Sequence, residues 1–195
     1  MNFVQPIRSS KKIAQIKNLL RGRGRIRDLF LFVVGINTAL RISDLLPLKI
    51  GHFVDEQGKV NRRFWIRERK RGKRSELTIN DSIRAALQEY LQAYPGIVTD
   101  REKPVFFSSQ HPQRAEAIKR GQAYYFISSI CRDVGLTGNY GTHTLRKTWG
   151  YHARMQGVDV ALIMHKLNHN SLAYTKRYLG ITDDELEAVA RRLNL

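Results

Sequence analysis

Cysteine is almost absent from this sequence, and its scarcity limits the chemistry that the chain can support. Among 195 residues, Cys131 is the only cysteine. A single thiol excludes a disulfide within the chain and a zinc site built from paired thiolates. Cys131 lies in an apolar helical pattern with Ile127 and Val134, so we expect a buried helix residue.

Long hydrophobic runs are also missing. The most apolar stretch covers residues 29–36 and is soon followed by Arg41, whereas a membrane-spanning helix needs about 20 apolar residues. The N-terminus lacks the basic stretch, apolar run and small-residue cleavage site of a signal peptide. We therefore expect no membrane segment and a cytoplasmic location.

Acidic residues are scarce relative to basic ones. The chain has 17 Asp and Glu against 34 Lys and Arg, which gives a formal net charge of +17. Such an excess indicates a polyanionic partner. DNA, RNA and an acidic membrane surface all fit this charge, and composition does not choose among them.

The apolar periodicity predicts a mainly α protein with one small antiparallel β-sheet (α+β). One predicted helix begins after its expected N-cap, Asp81, and ends before Pro95. Strand-like residues 64–66 and 77–79 flank a basic turn and predict a hairpin. The other predicted helices cover residues 10–20, 25–40, 42–48, 122–134, 144–156, 159–167, 171–179 and 183–193.

Four segments carry side chains that could take part in a reaction: 38–46, 69–73, 142–148 and 167–171, the last followed by Tyr178. Each has a plain structural interpretation when taken alone. Arg41 suits a helix-end salt bridge, and Lys70 suits a solvated turn. His143 and His169 suit helix caps or core positions. The order and spacing of the four segments favour a joint interpretation.

Together the segments resemble the catalytic domain of the tyrosine recombinase, or phage integrase, family. The family pattern is an arginine followed by Ser-Glu-Leu, a hairpin lysine, His-x-x-Arg, Leu-Gly-His, and a tyrosine nine residues beyond that histidine. Here His169 and Tyr178 are nine residues apart. The resemblance extends from about residue 9 to the C-terminus and implies a DNA breaking-rejoining fold without metal or cofactor.

The resemblance implies a catalytic set of Arg41, Lys70, His143, Arg146, His169 and Tyr178. Two guanidinium groups can bind the non-bridging oxygens of a phosphodiester in fork geometry. Tyrosine, with an ordinary pKa of about 10, needs nearby cations and a proton acceptor such as His143. The hairpin Lys70 would protonate the leaving 5′-oxygen, and His169 would hydrogen-bond to the phosphate.

Asp44 matches the acidic position of the family motif. It follows Arg41 by three residues, so we expect it to brace the arginines, with a surface salt bridge as the alternative. Two positions depart from the family pattern. Asn168 replaces a usual glycine, and Lys147 stands where histidine is frequent; neither replaces a catalytic side chain.

Two neighbouring residues compete with these assignments. Tyr174 lies one helical turn before Tyr178 and is a rival nucleophile, but the nine-residue spacing favours Tyr178. His165 and His169 have the spacing of a zinc-binding helix, but no glutamate lies between them and no third ligand is evident. We therefore expect no metal site.

The basic residues of the hairpin are expected to contact the backbone of double-stranded DNA, with a solvated basic face as the alternative. The predicted DNA-binding residues are Arg67, Arg69, Arg71, Lys73, Arg74 and Lys147.

Residues 1–195 are expected to form a single catalytic domain, without a separate N-terminal core-binding domain. Residues 181–195 carry an apolar stripe that includes Leu186, Val189 and Leu193, and we expect this tail helix to pack on a neighbouring subunit. The resemblance implies a homo-tetramer on two DNA sites, with DNA-bending proteins as helpers.

The predicted function is site-specific DNA recombination through a 3′-phosphotyrosyl intermediate. A type IB topoisomerase-like activity uses the same chemistry and remains an alternative. A non-catalytic DNA-binding protein is a further alternative, although the presence of Tyr178, Arg41 and Arg146 argues against it. An RNA-binding role would explain the charge but not the ordered motifs.

Overall fold

The computed structural model describes residues 4–70, 72–108, 116–180 and 191, and it has the predicted composition of helices and one small sheet. The helices are α1 (Ser10–Gly22), α2 (Ile26–Thr38), α3 (Ile42–Leu45), α4 (Ile50–Phe53), α5 (Asp81–Ala93), α6 (Arg120–Asp133), α7 (Thr144–Met155), α8 (Val160–Lys166) and α9 (Leu172–Leu179). The strands are β1 (Arg63–Arg67) and β2 (Arg74–Thr78), and Pro95–Thr99 forms a 3-10 turn.

Helix α2 is the centre of the fold. Every residue from 28 to 35 is buried, because α2 packs against α1, α5 and α7. The helix ends at Thr38, two residues before the predicted end, since Ala39 adopts a left-handed conformation with φ of 59°. The predicted helix over 42–48 ends earlier, at Leu45, and the sequence did not predict α4 or the 3-10 turn.

Helices α2 and α7 approach closely at Gly35. A Cβ atom built at this position would lie 2.5 Å from Leu145 Cδ1, closer than such atoms can sit. The absence of a side chain therefore allows the contact. This approach matters for the site because Arg146 follows Leu145 in α7, and Ala39 follows the end of α2.

The β1–β2 hairpin confirms the predicted antiparallel pairing, with Trp65 opposite Glu76 and Arg67 opposite Arg74. Side chains alternate across the strands: Phe64 is buried in the core, whereas Trp65 is 47% exposed. The core face anchors the hairpin, and its basic turn projects away from the core.

Short polar side chains begin several helices. Ser9 accepts a hydrogen bond from the Lys12 amide at the start of α1. The cap of α5 is Asn80, whose side chain accepts from the Ile83 amide, so the prediction of Asp81 as N-cap was wrong by one residue. Asp81 instead occupies the first turn, where its charge favours the helix dipole.

A second, smaller core cluster joins α8 and α9 to the end of α2. It contains Ala39, Ile163, Leu167 and Leu179, with Tyr178 packed against it. The main core holds Cys131, which is fully buried as predicted, and burial raises the pKa of its thiol to about 12.

Among the described residues, no helix combines the length and apolar character needed to cross a membrane. The predicted DNA contact Arg71 and, apart from residue 191, the predicted tail helix over 183–193 lie outside the described residues.

Candidate active site

Arg146 lies in the first turn of α7 and is almost completely buried. Its Nη1 donates to the Ala39 carbonyl at 2.6 Å, and its Nη2 donates to the Leu167 carbonyl. These carbonyls follow the ends of α2 and α8, where backbone acceptors are left without helical partners. Burial lowers the pKa of Arg146 from its ordinary value. The guanidinium is thus held where α2, α7 and α8 meet.

Arg41 precedes α3 and forms an ion pair with Glu68, a partner that the sequence did not predict. Its Nη1 donates to Glu68 Oε2 at 2.7 Å. Glu68 Oε1 accepts from Ser75 Oγ at 2.7 Å, and Oε2 also accepts from Asn168 Nδ2 at 3.4 Å. Burial acts to raise the pKa of Glu68, but these hydrogen bonds outweigh it and hold the pKa below its usual value.

Glu68 was missed because the basic residues of the hairpin dominate its sequence. The available signal was an acidic residue at the end of a strand in a segment otherwise rich in Lys and Arg. Asp44, to which bracing of the arginines was assigned, is buried, and its Oδ1 accepts from the Arg69 amide at 2.9 Å. Asp44 thereby holds the backbone next to Lys70, whereas Glu68 contacts Arg41 directly.

His143 directly precedes α7 and lies close enough to several cations for their charges to act on its ring. Desolvation of the ring, followed by the positive charges of Arg120, Arg146, Lys147 and Arg41, lowers its pKa below 6.5. The neutral imidazole is therefore favoured near neutral pH. A neutral ring can accept a proton, which is the chemistry that the sequence assigned to this residue.

Tyr178 lies near the end of α9 with its hydroxyl oxygen buried. No hydrogen bond of standard geometry reaches that oxygen within the described part of the chain. Burial raises the pKa of Tyr178 to about 12, while the charge of Arg146 acts in the opposite direction. The Lys147 ammonium lies 4.9 Å from the ring centroid, so this lysine, predicted to bind DNA, is beside the tyrosine.

His169 stands between two tyrosines, with ring centroids 4.8 Å from Tyr174 and 4.9 Å from Tyr178. Its Nδ1 lies 3.1 Å from Thr175 Oγ1, and that hydroxyl donates to the Ser171 carbonyl at 2.9 Å. Since the proton of the Thr175 hydroxyl is donated to Ser171, the His169 Nδ1 must be the donor in its hydrogen bond with Thr175. The Thr175 hydroxyl, unanticipated from sequence, thus orients the histidine.

Asn168 explains one departure from the family pattern. The residue adopts a left-handed conformation with φ of 50° in the turn between α8 and His169. Glycine adopts this conformation without steric cost, and asparagine is among the few other residues that tolerate it. Asn168 therefore preserves the backbone turn and adds the contact with Glu68.

The hairpin cations lie at the surface. Lys70 is exposed in the turn, close in sequence to Glu68. Arg67, Arg69, Lys73 and Arg74 are also exposed. The Arg67 Nε donates to the Gly72 carbonyl at 3.0 Å, and the Arg74 guanidinium lies 4.3 Å from the Trp65 ring centroid. Both arginines are thereby kept on the hairpin surface.

The chain is similar to several known proteins. Residues 9–185 match the family described as "Phage integrase family". The protein named "Probable integrase/recombinase YoeC" from Bacillus subtilis is 39% identical over 188 residues, which cover 96% of each chain. Tyrosine recombinase XerA from Pyrococcus furiosus is 26% identical, and the match covers 93% of this chain and 60% of XerA.

A solved structure has the same fold. It is the crystal structure of the XerH site-specific recombinase bound to palindromic difH substrate in a post-cleavage complex. The TM-score is 0.73 at 21% identity, with 96% of this chain and 51% of that chain covered. This chain therefore spans nearly all of YoeC but about half of the XerH chain.

Proposed function

The chain belongs to the phage integrase family, and we propose that it recombines DNA at specific sites by forming a covalent link through Tyr178. It is a tyrosine site-specific recombinase. The observation that supports the assignment of residues is that Tyr178 has a buried hydroxyl on which the charges of Arg146 and Arg41 act, while the His169 ring packs 4.9 Å from the Tyr178 ring. Electrostatic coupling of Tyr178 to both arginines supports this grouping.

Arg41 and Arg146 bind the non-bridging oxygens of the scissile phosphate. Their planar guanidinium groups supply several N–H donors and remain charged through the reaction. Arg146 is the more rigid of the two, because two backbone carbonyls hold it. A fixed donor stabilises developing charge without reorganising during the reaction.

The Tyr178 oxygen attacks the phosphorus atom, and the bond from phosphorus to the 5′-oxygen breaks. The products are a 3′-phosphotyrosyl link and a 5′-hydroxyl strand end. Attack by a 5′-hydroxyl reverses the step and releases Tyr178, so the energy of the original linkage is kept. No net cleavage of a phosphate ester occurs over the full cycle.

Two protons move during cleavage. The raised pKa of Tyr178 keeps its phenol protonated before DNA binds, so His143 accepts the proton as the oxygen attacks. Lys70, on the exposed turn, donates a proton to the leaving 5′-oxygen. His169 donates to a phosphate oxygen from Nε2 in the form that carries a proton on both ring nitrogens, because Nδ1 already donates to Thr175.

The partner in this proposal is double-stranded DNA, with a homo-tetramer that joins two sites and with DNA-bending helper proteins. The exposed cations of the hairpin, Arg67, Arg69, Lys73 and Arg74, follow the phosphate backbone. In this proposal residues 1–195 act as a single catalytic domain. A topoisomerase-like reaction would differ by needing one duplex rather than two paired sites.

The nucleophile can be tested with nicked DNA that traps the covalent intermediate. We expect wild-type protein and Tyr174→Phe to form a covalent adduct on a denaturing gel, and Tyr178→Phe to form none. Both variants remove one hydroxyl from the same helix, so Tyr174→Phe is the matched control. Loss of the adduct in Tyr174→Phe alone would exclude the proposed nucleophile. Tight DNA binding without any adduct would favour a non-catalytic role.

A further inference from the structure

Glu68 is a buried acid in the most basic segment of the chain. From residue 62 to residue 74 the sequence has eight Lys and Arg residues, and Glu68 is its only acid. The residue is 7% exposed. A buried carboxylate is unfavourable unless cations or hydrogen-bond donors compensate for lost hydration, so its contacts explain why it is tolerated.

The carboxylate joins three parts of the site. Its partners are Arg41 at 2.7 Å from the start of α3, Ser75 at 2.7 Å from β2, and Asn168 at 3.4 Å from the turn before His169. The Glu68 backbone also closes the hairpin turn: its N–H donates to the Lys73 carbonyl at 2.9 Å. One residue therefore connects the turn that carries Lys70 to Arg41.

The charge of Glu68 also offsets repulsion between the two arginines. The positive charge of Arg41 lowers the pKa of Arg146, and the negative charge of Glu68 raises it. Without Glu68, no acidic side chain among the described residues would pair with the Arg41 guanidinium, and the charge of Arg41 would act on Arg146 without compensation. Arg41 uses Nη1 on Glu68, and a guanidinium has further N–H donors for a phosphate.

We propose that Glu68 is a positioning residue for strand cleavage, one that holds Arg41 in its phosphate-binding place and ties that place to the Lys70 turn. The inference rests on the proposed function, because it assigns Arg41 to the scissile phosphate. Glu68 itself does not touch the reacting atoms. It acts by keeping Arg41 preorganised, so that the guanidinium is in position when DNA binds.

The first test compares Glu68→Ala, Glu68→Gln and the control Glu76→Gln in single-turnover cleavage of nicked DNA. Glu76 is on β2 and pairs with Arg63, not Arg41. At saturating DNA we expect Glu68→Ala to cleave about 10 to 100-fold more slowly with little change in DNA affinity, as expected for lost positioning. Glu68→Gln should lose less than about tenfold, because its amide oxygen can still accept from Arg41. Glu76→Gln should cleave like wild type.

The second test separates positioning from loss of structure. A methylphosphonate at the scissile position replaces one charged oxygen with a methyl group. The linkage is then neutral, so its cleavage depends less on the positive charge of Arg41. The rate difference between wild type and Glu68→Ala should fall below about threefold on this substrate. If Glu68→Ala does not unfold cooperatively, the same comparison is made with the isosteric Glu68→Gln.

Several outcomes would overturn the proposal. If Glu68→Ala cleaved as fast as wild type or faster, Glu68 would only neutralise the charge of Arg41 and would not position it. An equal rate loss on the phosphate and methylphosphonate substrates would mean that Glu68 stabilises the fold alone. If wild-type protein forms no adduct on either substrate, the failure belongs to the proposed function instead.

Discussion

Tyr178 combines a buried hydroxyl with a cluster of positive charges, and the two features act on its pKa in opposite directions. Burial prevails, so the pKa rises to about 12 in the DNA-free protein. A phenol with such a pKa is a poor nucleophile until another group accepts its proton. His143 is suited to this task, since its own lowered pKa keeps it neutral at the pH where the tyrosine is protonated.

The pKa direction of His143 predicts an acid limit for cleavage. A base works only when unprotonated, so activity should be lost as pH falls through its pKa, which lies below 6.5 in the free protein. Cleavage at sub-saturating DNA reports groups of the free protein. We therefore expect an acid limb whose midpoint lies below pH 6.5, the ordinary pKa of histidine.

His143→Ala is the control for this pH profile, and it should cleave slowly with a flatter acid limb. An acid limb of the wild-type protein with its midpoint above pH 6.5 would contradict the lowered pKa and the role of His143 as base. The DNA affinity must be measured at each pH, since weaker binding would also change rates at sub-saturating DNA.

At the scale of elements, the site lies where helix ends meet. Helix α2 ends at Thr38 and is followed by Ala39 in a left-handed conformation, and α8 ends at Lys166, before Leu167. The carbonyls of both residues accept from Arg146. This geometry requires α7 to lie close to α2, and that approach depends on Gly35. Packing of the core therefore sets the position of the Arg146 side chain.

Gly35→Ala should both destabilise the protein and slow cleavage. The added Cβ would meet Leu145 Cδ1 at 2.5 Å, and overpacking of a core costs about 1–3 kcal/mol. Displacement of α7 would also move Arg146. Urea unfolding and the cleavage rate measure the two effects.

The matched control is Gly121→Ala in α6, where an added Cβ meets nothing within 4 Å. We expect this variant to be unchanged or more stable by up to about 1 kcal/mol, because alanine favours helices. Adding Leu145→Ala to Gly35→Ala should recover part of the cleavage rate. Wild-type stability in Gly35→Ala would show that the close contact is not important.

At the scale of the molecule, the net charge of +17 sets how the chain meets DNA. Some cations are paired internally, such as Arg21 with Glu89 and Arg23 with Asp133. The described cations of the hairpin are exposed. Binding by such cations releases counterions and therefore weakens as salt concentration rises.

Replacing one hairpin cation should reduce the salt dependence of DNA binding. For Lys73→Ala we expect the slope of log Kd against log salt to fall by roughly 1, with similar weakening on all sequences. Arg101→Ala is the control, since Arg101 lies on a different loop and pairs with Glu56. An equal slope in wild type and Lys73→Ala would remove Lys73 from the DNA contacts.

The sequence alone determined the class of fold, most helices and the hairpin, because apolar periodicity and turn residues are local signals. The spacing of the motifs also grouped Arg41, His143, Arg146 and His169 with Tyr178, and the structure places these four side chains in the same region. Lys147 was expected on the DNA surface, and its place beside the tyrosine ring depends on how α7 packs against α9.

Only the tertiary structure decided how the charges are balanced. Glu68 is 27 residues from Arg41 and 100 from Asn168, and no local pattern links positions so far apart. The same holds for Arg146, whose carbonyl partners lie beyond the ends of α2 and α8. Periodicity reports which face of an element is buried, whereas a hydrogen bond between distant segments exists only after the core has brought their backbones together.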